Sequence, residues 1–201
     1  MGKNRNGNGF PGSLAVSILR EDFTAIEKGQ YKILLKSDGT RYAMFVFEYP
    51  GGDGKSLNVV DLLDRSFTHH IVSAAFAKNV YQGTLFDGEL VKMKDGTYQY
   101  QIFDCLAYCG TYIGNDAHHV RLSTAAKCIS SQYEFSPANH TFQVVVKNYF
   151  TPKEALCGFF EEMPYPIDGW ILQDVNRPYV SGKDTFLFKY KKVGKYHPHC
   201  V

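Results

Sequence analysis

Eight strand-length runs of apolar, β-branched and aromatic residues dominate this 201-residue chain, covering 31–36, 41–49, 57–63, 84–91, 97–107, 142–147, 167–172 and 185–191. Runs of that length and composition predict β-strands. Five Asp-Gly pairs punctuate the chain, and Asp-Gly between apolar runs is a common hairpin turn. Helical signals are fewer. Glu21 to Lys28 reads as a short amphipathic helix ending at Gly29, and His118 to Gln132 places Leu122, Ala125, Ala126 and Ile129 at helical spacing. Thr151-Pro152-Lys153-Glu154 is a capping box with proline at the first helical position, followed by Ala155, Leu156, Phe159 and Phe160. Strands at hairpin spacing with scattered helices predict an α+β fold of antiparallel sheets flanked by helices. With no repeat, low-complexity tract or linker, residues 13–201 are expected to form one domain. The polar, Gly-rich stretch 1–12 is read as a mobile lead-in.

Composition narrows the class. Hydrophobic residues make up 44%, with 15 Phe and 14 Tyr, which suits a folded protein rich in β structure. No apolar stretch approaches the length of a membrane span, and the N-terminus lacks the apolar region of a secretory signal. Five cysteines, odd in number and without Cys-x-x-Cys spacing, predict free thiols in a reducing compartment. The tail His197-Pro198-His199-Cys200 offers three metal ligands with no fourth nearby, short of the four a closed zinc site takes. His69-His70 and His118-His119 stand in no motif and read as structural or surface residues. Net charge is only +2, too small for nucleic-acid binding over the whole surface, yet residues 183–195 hold five lysines against Asp184 alone. In a strand, Lys189 and Lys191 project from one side and the neighbouring aromatics from the other.

The chemistry gathers around Lys36-Ser37-Asp38-Gly39-Thr40-Arg41, set between Ile33-Leu34-Leu35 and Tyr42–Phe47. A lysine ends one apolar strand, and a turn leads into the next. The expectation is a hairpin with the amine at its inner mouth, partly desolvated and aimed at a bound molecule. Four strings follow it in order: Thr84–Val91 with Asp87 and Glu89 on one face, Tyr100–Asp104, Ile167-Asp168-Gly169-Trp170-Ile171-Leu172, and Phe188-Lys189-Tyr190-Lys191. In that order they resemble motifs I, III, IIIa, IV and V of the covalent nucleotidyltransferases, the mRNA capping enzymes and DNA and RNA ligases. Asp168-Gly169-Trp170-Ile171, Asn176-x-Pro178-Tyr179-Val180-Ser181-Gly182 and Lys189-Tyr190-Lys191 are similar to the guanylyltransferases of mRNA capping in particular. So are Phe10-Pro11-Gly12-Ser13 and Leu63-Asp64-Arg65. The likeness runs from about residue 10 to 192, departing at Tyr190, where Trp is more frequent, and at Trp170, where a smaller apolar residue is usual.

The resemblance implies a nucleotidyltransferase domain in which Lys36 attacks the α-phosphate of GTP, expels pyrophosphate and passes GMP to the 5′-diphosphate end of RNA. Because an ordinary lysine is almost wholly protonated at neutral pH, such a nucleophile needs activation by desolvation, neighbouring cations or metal coordination. Lys189 and Lys191 would supply the positive field and bind the α-phosphate. Glu89 and Asp168 would hold Mg²⁺ or Mn²⁺, which favour oxygen ligands, together with ribose hydroxyls. Arg41 would meet the ribose, Arg65 the phosphates, Phe103 and Ile171 the two faces of the purine, and Lys147 the guanine O6. Strict alternation puts Asp168 and Ile171 on opposite strand faces, so both reach one nucleotide only if Gly169 bends the strand or the ligand wraps its edge. Family members continue past the last motif into an OB-fold lid, so an OB-fold domain or other capping subunits, in cis or in trans, are expected partners, and no membrane. The implied location is the nucleus for a cellular enzyme, or a cytoplasmic replication site or virion for a viral one. Two alternatives stand beside this reading: a ligase-type adenylyltransferase using ATP with the same lysine, and a catalytically silent nucleotide- or cap-binding module.

Overall fold

The computed structural model describes residues 12–52, 54–156 and 163–191. Two sheets face each other across a cleft. The first holds, in spatial order, β1 (Ser13–Ser17), β14 (Gly182–Tyr190), β13 (Ile167–Asp174), β2 (Tyr31–Ser37) and β12 (Tyr149–Phe150). The second runs β11 (Gln143–Val146), β8 (Tyr98–Tyr108), β7 (Gln82–Lys92), β3 (Thr40–Pro50), β4 (Ser56–Leu63) and β5 (His69–Ile71), with β9 (Thr111–Tyr112) also paired to β8. A small ribbon joins β6 (Ala75–Phe76) to β10 (Tyr133–Glu134). All eight expected strands form. Among the described residues, two pairings are parallel, β1 with β14 and β11 with β8, and the others are antiparallel. The fold is α+β.

The expected hairpin at Lys36 does not form. β2 and β3 lie in different sheets, and Ser37–Gly39 crosses from one to the other. Gly39 does not take the positive φ of a tight hairpin turn. It is needed for clearance instead: a Cβ there would lie 2.6 Å from the Leu90 carbonyl oxygen and 2.9 Å from Cγ of Glu89. The crossover is held by the Asp38 amide, which donates to the Pro166 carbonyl at 3.1 Å. Lys36 and Arg41 therefore stand on opposite walls of the cleft.

Helix α1 (Phe23–Lys28) follows a 3-10 turn at Arg20–Asp22. Helix α2 (His118–Gln132) packs on β8 and closes the main core, in which Met44, Val46, Phe86, Tyr100, Ile102, Ala125 and Cys128 are fully buried. Each such large apolar side chain contributes roughly 1.5–3 kcal/mol by leaving water. The buried stripe of α2 is His118, Arg121, Ala125 and Cys128, while Ala126 is exposed and Leu122 and Ile129 are half-buried. That face is rotated from the apolar one the spacing suggested, because Arg121 finds a carboxylate partner inside. Helix α3 (Pro152–Leu156) opens with the expected capping box: the Glu154 amide donates to the Thr151 hydroxyl at 3.2 Å and the Thr151 amide to the Glu154 carboxylate at 2.6 Å. Cys105, Cys109 and Cys128 are free. No helix among the described residues is long and apolar enough to cross a membrane. The lead-in up to residue 11, Phe159, Phe160 and the His197–Cys200 tail lie outside the described residues.

Candidate active site

The cleft contains a cavity of about 860 Å³. Its first wall carries Lys36 near the end of β2, Ile171 on β13, and Lys189 and Lys191 at the end of β14; its second carries Arg41 on β3, Glu89 on β7 and Phe103 on β8. Arg65, in the turn after β4, stands at the rim, and Lys147, just past β11, closes the inner end. Of the expected site residues only Asp168 is not on the cavity wall, and it is bonded to two that are.

Lys36 is about a quarter exposed, and its Nζ lies 2.9 Å from Oδ2 of Asp168. Nζ of Lys191 reaches the same oxygen, also at 2.9 Å. Hydrogen bonds from Lys36 and then Lys191 hold the Asp168 carboxyl below the usual carboxylate range. A kink delivers Asp168 to this place. The β13–β2 register shifts between Ile167 and Gly169, and Gly169 has φ +133°, a conformation reserved for glycine. A Cβ there would sit 2.0 Å from the Tyr190 carbonyl oxygen. The bulge breaks the strict alternation, so Asp168 meets Lys36 while Ile171 still faces the cavity.

Arg41 is gripped from below. Its Nε donates to Oδ1 of Asp87 at 2.9 Å and its Nη2 to Oδ2, a bidentate pair with both side chains almost buried. Burial disfavours the guanidinium charge, but the Asp87 carboxylate outweighs it and raises the Arg41 pKa. The Tyr179 hydroxyl donates to Asp87 at 2.6 Å and accepts from the Ser13 amide at 2.9 Å, which ties β1 and the loop before β14 to the same carboxylate. The Arg41 guanidinium lies 5.2 Å from the Phe103 ring centroid, within cation–π range. Phe103 is itself fixed through its carbonyl, which accepts from the Tyr149 hydroxyl at 3.0 Å and from Nε2 of buried His118 at 3.1 Å.

On the inner wall, Oε2 of Glu89 accepts from both the Ser37 hydroxyl and Nζ of Lys147, the latter at 3.1 Å. Lys147 also donates to the Ser37 hydroxyl at 2.6 Å and to the Leu35 carbonyl at 3.3 Å.

Sequence reasoning missed one buried pair beside the cavity. Arg121 bonds Asp104 through both forks, at 2.7 and 2.8 Å, and reaches the Arg177 carbonyl at 3.0 Å. It thereby joins α2 to β8 and to the loop carrying Tyr179. The available signal was a charged residue four positions before Ala125 on the core face of a helix.

Among the described residues no cluster of three or more His, Cys, Asp or Glu could hold a metal by itself. Glu89 on the second wall and Asp168, set behind Lys36 and Lys191, are nonetheless oxygen donors of the kind that suit Mg²⁺ or Mn²⁺ arriving with a nucleotide. Mg²⁺ in such sites takes one or two carboxylates and fills its sphere with phosphate oxygens and water.

Residues 2–193 match the family described as mRNA capping enzyme, catalytic domain. The chain is 30% identical to the mRNA-capping enzyme subunit alpha of Schizosaccharomyces pombe, over 90% of its own length and 50% of that protein. It is 29% identical to the mRNA-capping enzyme of Danio rerio, over 92% of its length and 33% of that protein. It thus spans between a third and a half of the length of these relatives. Solved structures of similar fold include DNA ligases: a Lig E enzyme at TM-score 0.56 and 16% identity, covering 91% of this chain and 69% of that one, and the ATP-dependent ligase of bacteriophage T7 at 0.55 and 13%, covering 92% and 69%. At that identity the likeness speaks for the fold, whereas the sequence match over nearly the whole chain decides the family: this chain belongs to the mRNA capping enzyme catalytic domains.

Proposed function

We propose that this domain is an mRNA guanylyltransferase that forms a covalent lysyl-GMP on Lys36 and passes the GMP to a 5′-diphosphate RNA end. The observation that carries the reading is one lysine amine, about a quarter exposed in a nucleotide-sized cavity, anchored by Asp168 and accompanied on the cavity wall by Lys189 and Lys191. The neutral Lys36 amine attacks the α-phosphorus of GTP; a P–N bond forms, the α–β bridging P–O bond breaks, and pyrophosphate leaves. The terminal phosphate oxygen of the RNA then attacks the same phosphorus, the P–N bond breaks, and the lysine is released. Lys189, Lys191 and Arg65 offset charge on the phosphates, the main task in phosphoryl transfer. Arg41 and Glu89 face the ribose, Phe103 and Ile171 the purine, and Lys147, buried beside Lys36, completes the nucleotide-binding set. Glu89 and Asp168 would hold the Mg²⁺ or Mn²⁺, which supplies Lewis-acid stabilisation of charge on the phosphoryl oxygens. An OB-fold lid or further capping subunit, in cis or in trans, is the proposed partner, in keeping with relatives two to three times longer than this chain. In a cellular setting, eukaryotic relatives favour the nucleus.

The test is to incubate the protein with α-labelled GTP or ATP and divalent metal, resolve the products on a denaturing gel, and add diphosphate-ended RNA. Preferential labelling by GTP followed by transfer to the RNA is the expected result. Labelling by ATP alone would favour the ligase-type reading, which the structural neighbours share in fold. Tight GTP binding with no adduct under any condition would favour a silent binding module.

A further inference from the structure

We propose that Phe67, at the mouth of the cavity, is the stacking platform for the first base of the acceptor RNA. This role rests on the guanylyltransferase reading, in which RNA is the second substrate. The three residues Arg65-Ser66-Phe67 join β4 to β5. The Asp64 amide donates to the Thr68 carbonyl and the Phe67 amide to the Asp64 carbonyl, both at 3.1 Å. The Asp64 carboxylate accepts from the Ser66 and Thr68 amides at 2.7 and 2.9 Å. Arg65 and Ser66 line the cavity, and Phe67 follows them on the outside.

The turn itself gives no reason for an aromatic residue here. Phe67 has φ +61°, the left-handed position that ends a three-residue hairpin connection and favours glycine. A bulky residue in that conformation is an outlier. Packing does not compensate, because Phe67 is 48% exposed and has no ring partner among the described residues. Backbone outliers of this kind cluster where ligands are held. With the turn pinned by the Asp64 bonds, the ring is presented on a rigid support and loses little freedom when a ligand stacks on it.

The reaction indicates which ligand passes this ring. Attacking and leaving groups of phosphoryl transfer lie roughly in line. Pyrophosphate therefore departs on the side away from Lys36, and the terminal phosphate oxygen of the RNA enters by the same side. Lys36 stands on the first wall, and Arg65 stands at the rim in the turn between two strands of the second sheet. An RNA whose diphosphate lies against Arg65 carries its first nucleoside out past Ser66 to Phe67. Stacking suits a substrate of variable sequence, since every base has a π-face. Beyond the turn the surface is apolar rather than basic: Ile71 and Phe45, the cross-strand neighbours of Asp61, are both exposed.

The test uses the full chain with Phe67→Gly, which suits the turn and removes the ring, and Phe67→Trp, which keeps a ring. Lysyl-GMP formation is measured first, then GMP transfer to a short 5′-diphosphate RNA and to the same RNA with an abasic first nucleotide. Phe67→Gly should be at least as stable to urea as wild type and form lysyl-GMP within about twofold of its rate. Its KM for the intact RNA should rise about fivefold or more, the loss of one base–aromatic stack, while Phe67→Trp stays near wild type. The abasic RNA should cost the wild type the same factor and cost Phe67→Gly nothing further. A KM for intact RNA in Phe67→Gly equal to wild type overturns the assignment, even if stimulation by an OB-fold partner is lost, which would give the ring to a protein contact instead. An abasic penalty equal in wild type and Phe67→Gly also overturns it. If the wild-type chain transfers no GMP under any condition, the parent reading fails, and fluorescence anisotropy of the intact RNA with wild type and Phe67→Gly decides the platform alone. Binding about fivefold weaker in the variant upholds it, and equal binding, or none to wild type, refutes it.

Discussion

The amine of Lys36 and the carboxylate of Asp168 meet at 2.9 Å although 132 positions separate them in the chain. The contact links adjacent strands β2 and β13, and it shares one carboxylate oxygen with Lys191. Asp168 thus holds two cations at the cavity, and under the proposed reaction Lys36 would have to leave it before attacking.

A pH dependence follows from that pair. The Asp168 carboxyl lies below its usual range because Lys36 and then Lys191 bond to it. A depressed carboxyl contributes stability that is complete above its unfolded pKa, about 4, and is lost as pH falls through the lower folded value. The stability difference between wild type and Asp168→Asn should therefore be constant from pH 7 to about 5 and shrink below pH ~4. With Asp168 about a third exposed, the plateau should not exceed about 1 kcal/mol. Urea titrations of both proteins across that range measure it.

Gly169→Ala should damage the site through the backbone. The residue sits at φ +133° with the Tyr190 carbonyl 2.0 Å from where a Cβ would be. Flattening the bulge to admit the methyl turns Asp168 away from Lys36. Destabilisation of about 2 kcal/mol or more is expected, with loss of covalent labelling even in the folded fraction. A stable, fully labelled variant would show that the bulge is dispensable.

Asp87→Asn should be costly for a different reason. It leaves the buried Arg41 guanidinium without its carboxylate, and breaking one side of a buried ion pair destabilises by about 3–5 kcal/mol. Adding Arg41→Met to Asp87→Asn should recover a large part of that loss, because the guanidinium that lost its bidentate carboxylate is gone. Denaturant unfolding of the two single variants and the double variant closes the cycle.

The long strands were legible because their apolar runs are continuous and of strand length. The short ones, β1, β5, β6, β9, β10 and β12, span two to five residues and exist only through partners distant in the chain: β1 pairs with residues 182–189. Their local sequence carries little period to read. How the strands divide between two sheets was not legible either. Asp38-Gly39 has the composition of a hairpin turn, and the glycine's purpose, clearance from Leu90 and Glu89, depends on a strand fifty residues later. In the site, the residue types and their order pointed to Lys36, Glu89, Asp168, Lys189 and Lys191. The Arg121–Asp104 pair, the Tyr179–Asp87 bond and the Lys147–Glu89 pair stayed hidden because each is a tertiary contact between polar residues that carry no periodic pattern.

The most direct measurement of the central claim is the identity of the modified residue. The full chain and Lys36→Arg are incubated with GTP and Mn²⁺ over a long time course, with and without a separately supplied OB-fold partner, and digested under mildly alkaline conditions that preserve phosphoramidates. Peptide mass spectrometry then locates any GMP. The account predicts GMP on Lys36 of the wild type and none in Lys36→Arg, whose guanidinium stays protonated and cannot supply a neutral amine. Attachment to another residue, or labelling of Lys36→Arg at the wild-type rate, would contradict it.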